Sequence, residues 1–451
     1  MARFSERSLP TTPFLLKGVM MKKHKKTKKH KSTFNDFYAD APRDDRCKNL
    51  LALTDVGNSW RLAEAIGGAA RFSSTSNCWL WWDGTRWNRT EGNDIVCQKA
   101  IKRITAIAEE LGSDADLSVR IRLLKWAKQS QSKKQIDASI ATARTHPFFL
   151  SYDYQFDQNP WLLNCLSGTI DLHTGKLHEH KPTDMITKLA PCEFGGLDLF
   201  DEDDEAYRLW HKFLRDTTGD DKEFEKFLQT AIGYSLTGDT SEEKIFFVYG
   251  ATASGKSTFL EAVKSVLGDY AVTADFETFL KRRDIAGSRP DIARLSGARF
   301  VTSIEVDEGK RMAEGLVKTI TGGDTIAARH LYESYFEFKP QFKLWLAANT
   351  APRISDKDSA MWRRIVRLPF EHIVPRRKRN PKVKAQLTSG GEFGAVILAW
   401  MVKGAVRWHK QGLKLPVAVR DSTKEYQAEM NPLKTFFEEC CIFSDDARVC
   451  I

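Results

Sequence analysis

The stretch GATASGKST has the residue types and the spacing needed to bind a chain of phosphates. Gly250, Gly255, Lys256 and Ser257 match the pattern G-x-x-x-x-G-K-[ST]. In this pattern the glycines let backbone N–H groups approach phosphate oxygens, the lysine reaches the terminal phosphates, and the serine hydroxyl ligates Mg²⁺. The predicted nucleotide-binding residues are Gly250, Ala251, Thr252, Ala253, Ser254, Gly255, Lys256, Ser257 and Thr258.

The segments on either side of this loop predict the elements that must position it. The apolar run KIFFVY before the loop has the length of a strand, and STFLEAVKSVLG after it has apolar residues at helical spacing. A helix that starts at the loop points its N-terminus at bound phosphate. From Lys244 to Phe370 short apolar strands alternate with helices, which predicts an α/β module with a mostly parallel sheet. The loop alone does not distinguish a kinase, a GTPase and a motor.

Polar side chains follow two later strands of this module. Glu305 ends the apolar run of ARFVTSIE, where a carboxylate can polarise water, and Asp307 or Glu308 could help to hold Mg²⁺. Asn349 ends FKLWLAAN, and an amide can donate to phosphate while accepting from water. Arg363 and Arg364 could stabilise the charge of a phosphate bound to a neighbouring subunit. Acids after strands are also ordinary turn residues, so the Glu305 assignment depends on the loop.

Composition restricts the class of protein. The 451 residues contain eight scattered cysteines and no C-x-x-C pair, which fits a reducing compartment and disfavours a zinc ribbon or a disulfide framework. The longest apolar run, AVILAWMV, is too short to span a bilayer and predicts a buried helix. We therefore expect a cytoplasmic protein without a membrane partner.

The net charge of +10 comes mostly from the N-terminus. Residues 1–31 contain eight Lys, two Arg and one Glu, so the rest of the chain is close to neutral. Such a run cannot form a core and is expected to be disordered. A phosphate-binding arm and a plain solvated tail are both consistent with it.

The region upstream of the α/β module contains two predicted hairpins. One turns at Asp83-Gly84 within NCWLWWDGTRWNR, and the other turns near Thr174-Gly175. Helical patterns run from Ile95 to Leu111 and from Leu117 to about Ala143. The tryptophans of the first hairpin could stack on bases, but aromatic clusters on hairpins are far more often core, and we favour that interpretation. They are Trp79, Trp81, Trp82 and Trp87.

Taken together, the motifs resemble those of a known family. In order, the chain carries GATASGKSTF, SIEVDEG, KTITGGD, ARHLYESYFEFKP, LAANTAPRI and AMWRRI. This series closely resembles the superfamily 3 helicases of phage and plasmid replication proteins, a group that includes satellite-phage primase-helicases and the poxvirus helicase-primase. The resemblance extends upstream through DVGNSWRLAEAIGG and NCLSGTIDLHTGKLHEHKPTDMITKLA, and so covers roughly residues 50 to 440.

The resemblance implies a fold and a domain order. We expect an α/β protein with a P-loop AAA+-type ATPase domain on a mostly parallel sheet, preceded by an α+β accessory, collar-like domain and a helical segment. The expected ranges are a basic tail at 1–44, the accessory domain at 45–200, a helical linker or bundle at 201–240, the ATPase domain at 241–415, and a C-terminal helical segment at 416–451, where a winged-helix module would begin.

It also implies an activity and its partners. We expect an ATP-dependent DNA helicase that uses ATP and Mg²⁺, assembles as a homo-oligomeric ring, typically a hexamer, and translocates on single-stranded and forked DNA. An origin-binding or loader ATPase that assembles on DNA without processive unwinding is the alternative. A small-molecule kinase is poorly supported, because the paired arginines and TGGDTIAARHLY have no role there.

The family's functional positions map onto residues of this chain. Lys256 and Ser257 correspond to the phosphate and Mg²⁺ positions, Glu305 to the catalytic and metal-holding acid, and Asn349 to the sensor. Arg363 or Arg364 corresponds to the arginine finger that acts across the subunit boundary. The hairpin that grips DNA in this family maps to candidate contacts Arg329, His330, Tyr332 and Lys339, and Lys318 occupies a basic position of the third motif.

Two departures from the family pattern matter. Ser254 stands where many phage members have Asn before the second loop glycine, which removes one amide but leaves the phosphate cradle. No polymerising primase domain is recognisable, so we expect priming activity to come from a separate primase or other replication proteins that act as partners, or from a segment that is missing from this sequence.

Overall fold

The computed structural model describes most of the chain. The described residues are 53–110, 116–198, 202–281, 289–304, 310–329, 331, 335–355 and 358–431. The predicted basic tail (1–44) and the last residues of the chain (432–451) lie outside them, as do Glu305, His330 and Tyr332.

The described residues form thirteen α-helices. They are α1 (Asp55–Ile66), α2 (Gly92–Thr105), α3 (Leu117–Ser130), α4 (Lys133–Ala143), α5 (Glu205–Thr218), α6 (Lys222–Leu236), α7 (Lys256–Leu267), α8 (Pro290–Ala293), α9 (Glu314–Thr321), α10 (Ser359–Trp362), α11 (Val383–Leu387), α12 (Gly391–Gln411) and α13 (Val417–Glu429). None of the helices that the structure describes is long and apolar enough to cross a membrane.

The strands fall into a long parallel sheet and three smaller antiparallel or mixed sheets. They are β1 (Ala70–Ser73), β2 (Cys78–Trp82), β3 (Trp87–Asn88), β4 (Leu150–Ser151), β5 (Leu162–Cys165), β6 (Gly168–Asp171), β7 (Lys176–His178), β8 (Ile245–Tyr249), β9 (Ala271–Thr273), β10 (Phe300–Ile304), β11 (Ile326–Ala328), β12 (Phe336–Phe338), β13 (Lys343–Ala348) and β14 (Ile365–Pro369).

The central sheet has five strands in the order β14-β8-β13-β10-β9, and every neighbouring pair is parallel. Strand β13, KLWLAA, is buried along its whole length, and β8, IFFVY, is buried except at its last residue. Such continuous apolar strands are typical of parallel sheets that are covered on both faces. The predicted α/β module with a mostly parallel sheet is confirmed.

The upstream region contains a four-stranded sheet (β3-β2-β1-β4) and a three-stranded sheet (β5-β6-β7). Both predicted hairpins are present, with Gly84 and Gly175 at positive φ in their turns. Trp79 and Trp87 are buried in the core, and Trp81 and Trp82 are half-buried. The interpretation of these tryptophans as core residues is therefore confirmed for Trp79 and Trp87.

The prediction of one continuous helix from Leu117 to about Ala143 is wrong. The chain forms two helices, α3 and α4, separated by a turn at Gln131 and Ser132. Ser132 adopts an extended backbone conformation as the N-cap of α4. Its carbonyl oxygen accepts from the N–H groups of Gln135 and Ile136, whereas its side chain makes no capping hydrogen bond, so the break lies in the backbone turn and not in a side-chain cap.

Helices α5, α6 and α12 pack together and against the central sheet. One hydrophobic cluster contains Trp210 of α5, Leu228 of α6, Val248 of β8 and Leu398 of α12, together with Ile170 of β6. The run AVILAWMV lies in α12 and is buried as predicted. The helical segment before the phosphate loop thus shares one core with the elements on both sides of it.

Two glycines allow the backbones of α6 and α12 to touch. A Cβ on Gly233 would lie 2.0 Å from the backbone nitrogen of Ala405, and a Cβ on Gly404 would lie 1.9 Å from the carbonyl oxygen of Gln229. Both distances are too short for any side chain. The close approach fixes α12 along the face of α6.

Candidate nucleotide-binding site

The predicted phosphate loop connects β8 to α7 at the carboxyl edge of the central sheet. Gly250 has φ 152° and packs so closely that a Cβ would lie 1.9 Å from the carbonyl oxygen of Phe370. Gly255 has φ 91° and is the N-cap of α7. A Cβ there would lie 2.9 Å from the hydroxyl of Thr217 in α5. Only glycine fits at either position.

The loop between these glycines is exposed and locally strained. Ala253 has φ 70°, a conformation that costs a residue with a Cβ on the order of 1 kcal/mol. Ser254 is buried and donates a hydrogen bond from its hydroxyl to the carbonyl oxygen of Ala251, 2.9 Å away. No side chain among the described residues caps the first turn of α7. Its first N–H groups are therefore directed at the place where phosphate would bind.

Lys256 is held inside the loop by neutral oxygen atoms. Its ammonium donates to the carbonyl oxygens of Gly250 (2.6 Å) and Ala251 (2.8 Å) and to the side-chain oxygen of Asn349 (3.0 Å). The side chain is buried, and burial lowers the pKa of the lysine from its usual value. A buried cation whose partners are neutral attracts an anion strongly.

Strand order explains how Asn349 reaches the loop. β13 lies beside β8, and Ala348 is paired with Tyr249, so Gly250 and Asn349 each follow one member of a neighbouring pair. On the other side of β13, Ile304 at the end of β10 is paired with Ala347. Glu305 follows Ile304 in the sequence but lies outside the described residues. Ser257 is exposed in the first turn of α7.

The two candidate finger arginines differ in exposure. The side chain of Arg364 is 7% exposed and donates to the hydroxyl of Thr321 (3.1 Å), the carbonyl oxygen of Ala360 (2.7 Å) and a carboxylate oxygen of Glu243 (2.8 Å). The side chain of Arg363 is 64% exposed and contacts the same Glu243 oxygen at 2.9 Å. Of this pair, Arg363 is the one whose side chain is mostly exposed to solvent.

Two acids that the sequence analysis did not single out contact predicted residues. Glu243, just before β8, bridges both arginines, and its backbone has φ 52°. Asp358, the N-cap of α10, accepts from Lys318 at 2.8 Å. That hydrogen bond lowers the pKa of the Asp358 carboxyl. Of these two acids, only Asp358 had a signal in the sequence, because aspartate is a preferred N-cap residue. Its side chain accepts from the backbone N–H of Met361.

The predicted DNA-gripping hairpin is present as β11 and β12, which pair antiparallel from Ile326↔Phe338 to Ala328↔Phe336. The Arg329 guanidinium lies over the Tyr335 ring, 4.8 Å from its centroid. Lys339 is exposed directly after β12. The other two predicted contacts, His330 and Tyr332, lie outside the described residues.

The fold and the site define an α/β protein in which a glycine-rich strand–loop–helix lies at the carboxyl edge of a parallel sheet. Comparison with known proteins gives matches to two family models. Residues 60–219 match the family described as "D5 N terminal like", and residues 248–364 match a family of unknown function, DUF5906.

Among curated proteins, "Putative helicase L207/L206" of Acanthamoeba polyphaga mimivirus is 28% identical over 342 residues, covering 72% of this chain and 35% of that protein. "Putative helicase 022R" of Frog virus 3 is 28% identical over 229 residues, covering 47% of this chain and 23% of that protein. The solved NrS-1 C-terminal region superposes with a TM-score of 0.40 at 11% identity, covering 60% of this chain and 72% of that one.

These matches relate the chain to D5-like proteins and to putative helicases of large DNA viruses. The chain spans about a third or less of the length of the curated relatives that it matches.

Proposed function

We propose that this protein is an ATP-dependent DNA helicase of replication, with an AAA+-type ATPase domain that works in a ring-shaped oligomer. The observation that carries the proposal is the contact between Lys256 of the phosphate loop and Asn349 at the end of the adjacent strand. A loop lysine and a polar strand-end residue that meet at one edge of a parallel sheet are the two groups needed to bind a terminal phosphate and respond to its loss.

The loop residues have separate roles in this proposal. The N–H groups of Gly250–Thr258 and the Lys256 ammonium bind the phosphates, and Lys256 exchanges the carbonyl oxygens of Gly250 and Ala251 for phosphate oxygens. The Ser257 hydroxyl, with Glu305, would hold Mg²⁺, which neutralises developing charge on the nucleotide. Asn349 orients the attacking water.

Hydrolysis at a subunit boundary requires a cationic side chain that extends from its own subunit to the nucleotide of the neighbour. Arg363 meets that requirement because its side chain is exposed and its one ion pair among the described residues, with Glu243, is at the surface. Arg364 is fixed inside its own subunit by three partners and has a structural role. We therefore assign the arginine finger to Arg363, in a ring for which six subunits is the expected number.

The DNA contact is proposed for the β11–β12 hairpin. Arg329, His330, Tyr332 and Lys339 would hold the phosphate backbone, a contact that needs cations and not base readout. The names of the mimivirus, iridescent virus and virophage relatives describe helicases, which supports the same activity here.

A forked duplex with a fluorescent strand tests the proposal. Strand release that requires both ATP and Mg²⁺, and that is lost in Lys256→Ala, supports the helicase. ATP-dependent oligomerisation on DNA without strand release supports instead an origin-binding or loader ATPase. If the protein stays monomeric and hydrolyses no triphosphate in the presence of single-stranded DNA, both proposals fail.

A further inference from the structure

A cavity of about 90 Å³ lies between α6 and the C-terminal end of α12, and none of the phosphate-loop residues lines it. Its polar lining on α6 comes from positions 223, 226 and 230, which share one face of the helix. The remaining polar lining comes from the end of α12 and the residues after it. The polar lining residues are Glu223, Lys226, Thr230, Arg407, Gln411 and Lys414.

The charge of this cavity is unbalanced. Lys226, Arg407 and Lys414 contribute three cations, whereas Glu223 contributes one carboxylate. In the part of the chain that the structure describes, none of these three cations forms an ion pair. The hydrogen-bond acceptors of Arg407 are neutral: the side-chain oxygen of Gln229 at 2.6 Å and the carbonyl oxygen of Lys226 at 3.4 Å.

The guanidinium of Arg407 is held in place by the helix packing. Gln229 accepts from Arg407 and, through its amide nitrogen, donates to the carbonyl oxygen of Trp400 at 2.9 Å. This bridge runs from α12 to α6 and back, beside the glycine contacts that fix the two helices. Partial burial lowers the pKa of Arg407, because the guanidinium loses part of its hydration.

We propose that this cavity binds a phosphate group at a site separate from the nucleotide loop. Its volume is enough for several water molecules and so for one tetrahedral oxyanion. A guanidinium held in place by its neighbours, in a cavity that two lysines also line, can recognise phosphate through charge-assisted hydrogen bonds. The phosphate can belong to a nucleic-acid backbone or be free in solution.

The test uses the full chain carrying Lys256→Ala, so that the nucleotide loop contributes little to phosphate binding. Inorganic phosphate, at constant ionic strength, is titrated while the thermal midpoint is measured. We expect a saturable rise in the midpoint, and Arg407→Gln should weaken the apparent phosphate affinity by about tenfold. Glu223→Gln should strengthen the affinity, because it removes the one opposing charge.

The matched control is Lys410→Gln. Lys410 is exposed on the same helix but does not line the cavity, so phosphate affinity should not change. If Arg407→Gln fails to fold, Lys226→Gln and Lys414→Gln replace it in the test. Each of them removes an exposed cation that lines the cavity. Equal effects of Lys410→Gln and Lys414→Gln would overturn the proposal, because they would show general charge and not a site.

A second arm distinguishes the two sources of phosphate. Binding of a single-stranded oligonucleotide is measured over a range of salt concentrations. If the site holds the nucleic-acid backbone, each lost cation should lower the salt slope by about 0.7. An unchanged slope, with phosphate protection lost in the variants, assigns the site to free phosphate. No saturable phosphate effect and no change in slope would refute the site, and neither arm requires helicase activity.

Discussion

The side-chain oxygen of Asn349 lies 3.0 Å from the ammonium of Lys256, although 93 residues separate them in sequence. This contact joins the phosphate loop to the neighbouring strand of the sheet. β8 and β13 are paired in parallel, so their carboxyl ends lie side by side. In the proposed function, a terminal phosphate bound at this edge would contact both residues.

Asn349→Ala should separate nucleotide binding from hydrolysis. Lys256 retains its loop contacts in this variant, so nucleotide affinity should change only a few-fold, whereas turnover should fall by about 10²-fold because the water loses its orienting group. Steady-state ATPase rates and binding of a fluorescent nucleotide measure the two effects. Asn349→Asp is the informative companion, since a carboxylate beside Lys256 should compete with phosphate and weaken binding itself. Turnover equal to wild type in Asn349→Ala would remove the residue from the mechanism.

Nucleotide affinity should decrease at alkaline pH. The pKa of Lys256 is lowered by burial in the free protein, and bound phosphate would raise it again. Binding is then coupled to proton uptake, so affinity falls as pH rises through the lowered pKa of the free state. Titration calorimetry in two buffers of different ionisation enthalpy measures the proton uptake. Lys256→Arg is the control, because arginine stays charged and should show no such uptake.

Arg363 and Arg364 should respond differently to alanine. Arg364→Ala removes a buried guanidinium with its hydrogen bonds to Thr321 and Ala360 and its ion pair with Glu243, and we expect the free energy of unfolding to fall by about 2–4 kcal/mol. Arg363→Ala should change it by less than about 0.5 kcal/mol, because its ion pair is solvent-exposed. Chemical denaturation measures both values.

The finger assignment has its own test. Mixing Arg363→Ala subunits with Lys256→Ala subunits should restore part of the ATPase activity, because each supplies the group that the other lacks. Mixtures that remain inactive at every ratio would place the finger elsewhere.

Gly250→Ala should displace the loop. The new Cβ would collide with the carbonyl oxygen of Phe370 at 1.9 Å, and φ 152° is unfavourable for alanine. We expect loss of nucleotide binding and a decrease of about 1–3 kcal/mol in stability. Gly315→Ala is the matched control, since nothing lies within 4 Å of its Cβ and it is in a helix. That variant should be neutral or slightly more stable. A Gly250→Ala protein that binds nucleotide normally would contradict the loop assignment.

The hairpin should contribute to the salt dependence of DNA binding. Lys339→Ala removes an exposed cation, so affinity for single-stranded DNA should fall and the salt slope should decrease by about 0.7. Arg329→Ala should also lower the affinity for single-stranded DNA and the salt slope. Fluorescence anisotropy at several salt concentrations gives both quantities. Unchanged slopes in both variants would move the DNA contact to another surface.

The sequence by itself determined the local elements around the site. Periodicity and turn residues predicted β8, α7, both upstream hairpins and the buried helix α12, because each depends on neighbours within a few positions. It also predicted the glycine positions of the loop. The single helix expected over Leu117–Ala143 is wrong because the backbone turns at Gln131 and Ser132, which the apolar periodicity does not encode.

Only the tertiary structure decided which distant groups meet. Strand order brought Asn349 to Lys256, and packing buried Arg364 while leaving its neighbour Arg363 exposed. The contacts of Glu243 and the cavity around Arg407 depend on how separate elements approach one another, which no local pattern encodes. Periodicity specifies the face that an element buries, but contacts between elements are set by the sum of all their packing surfaces.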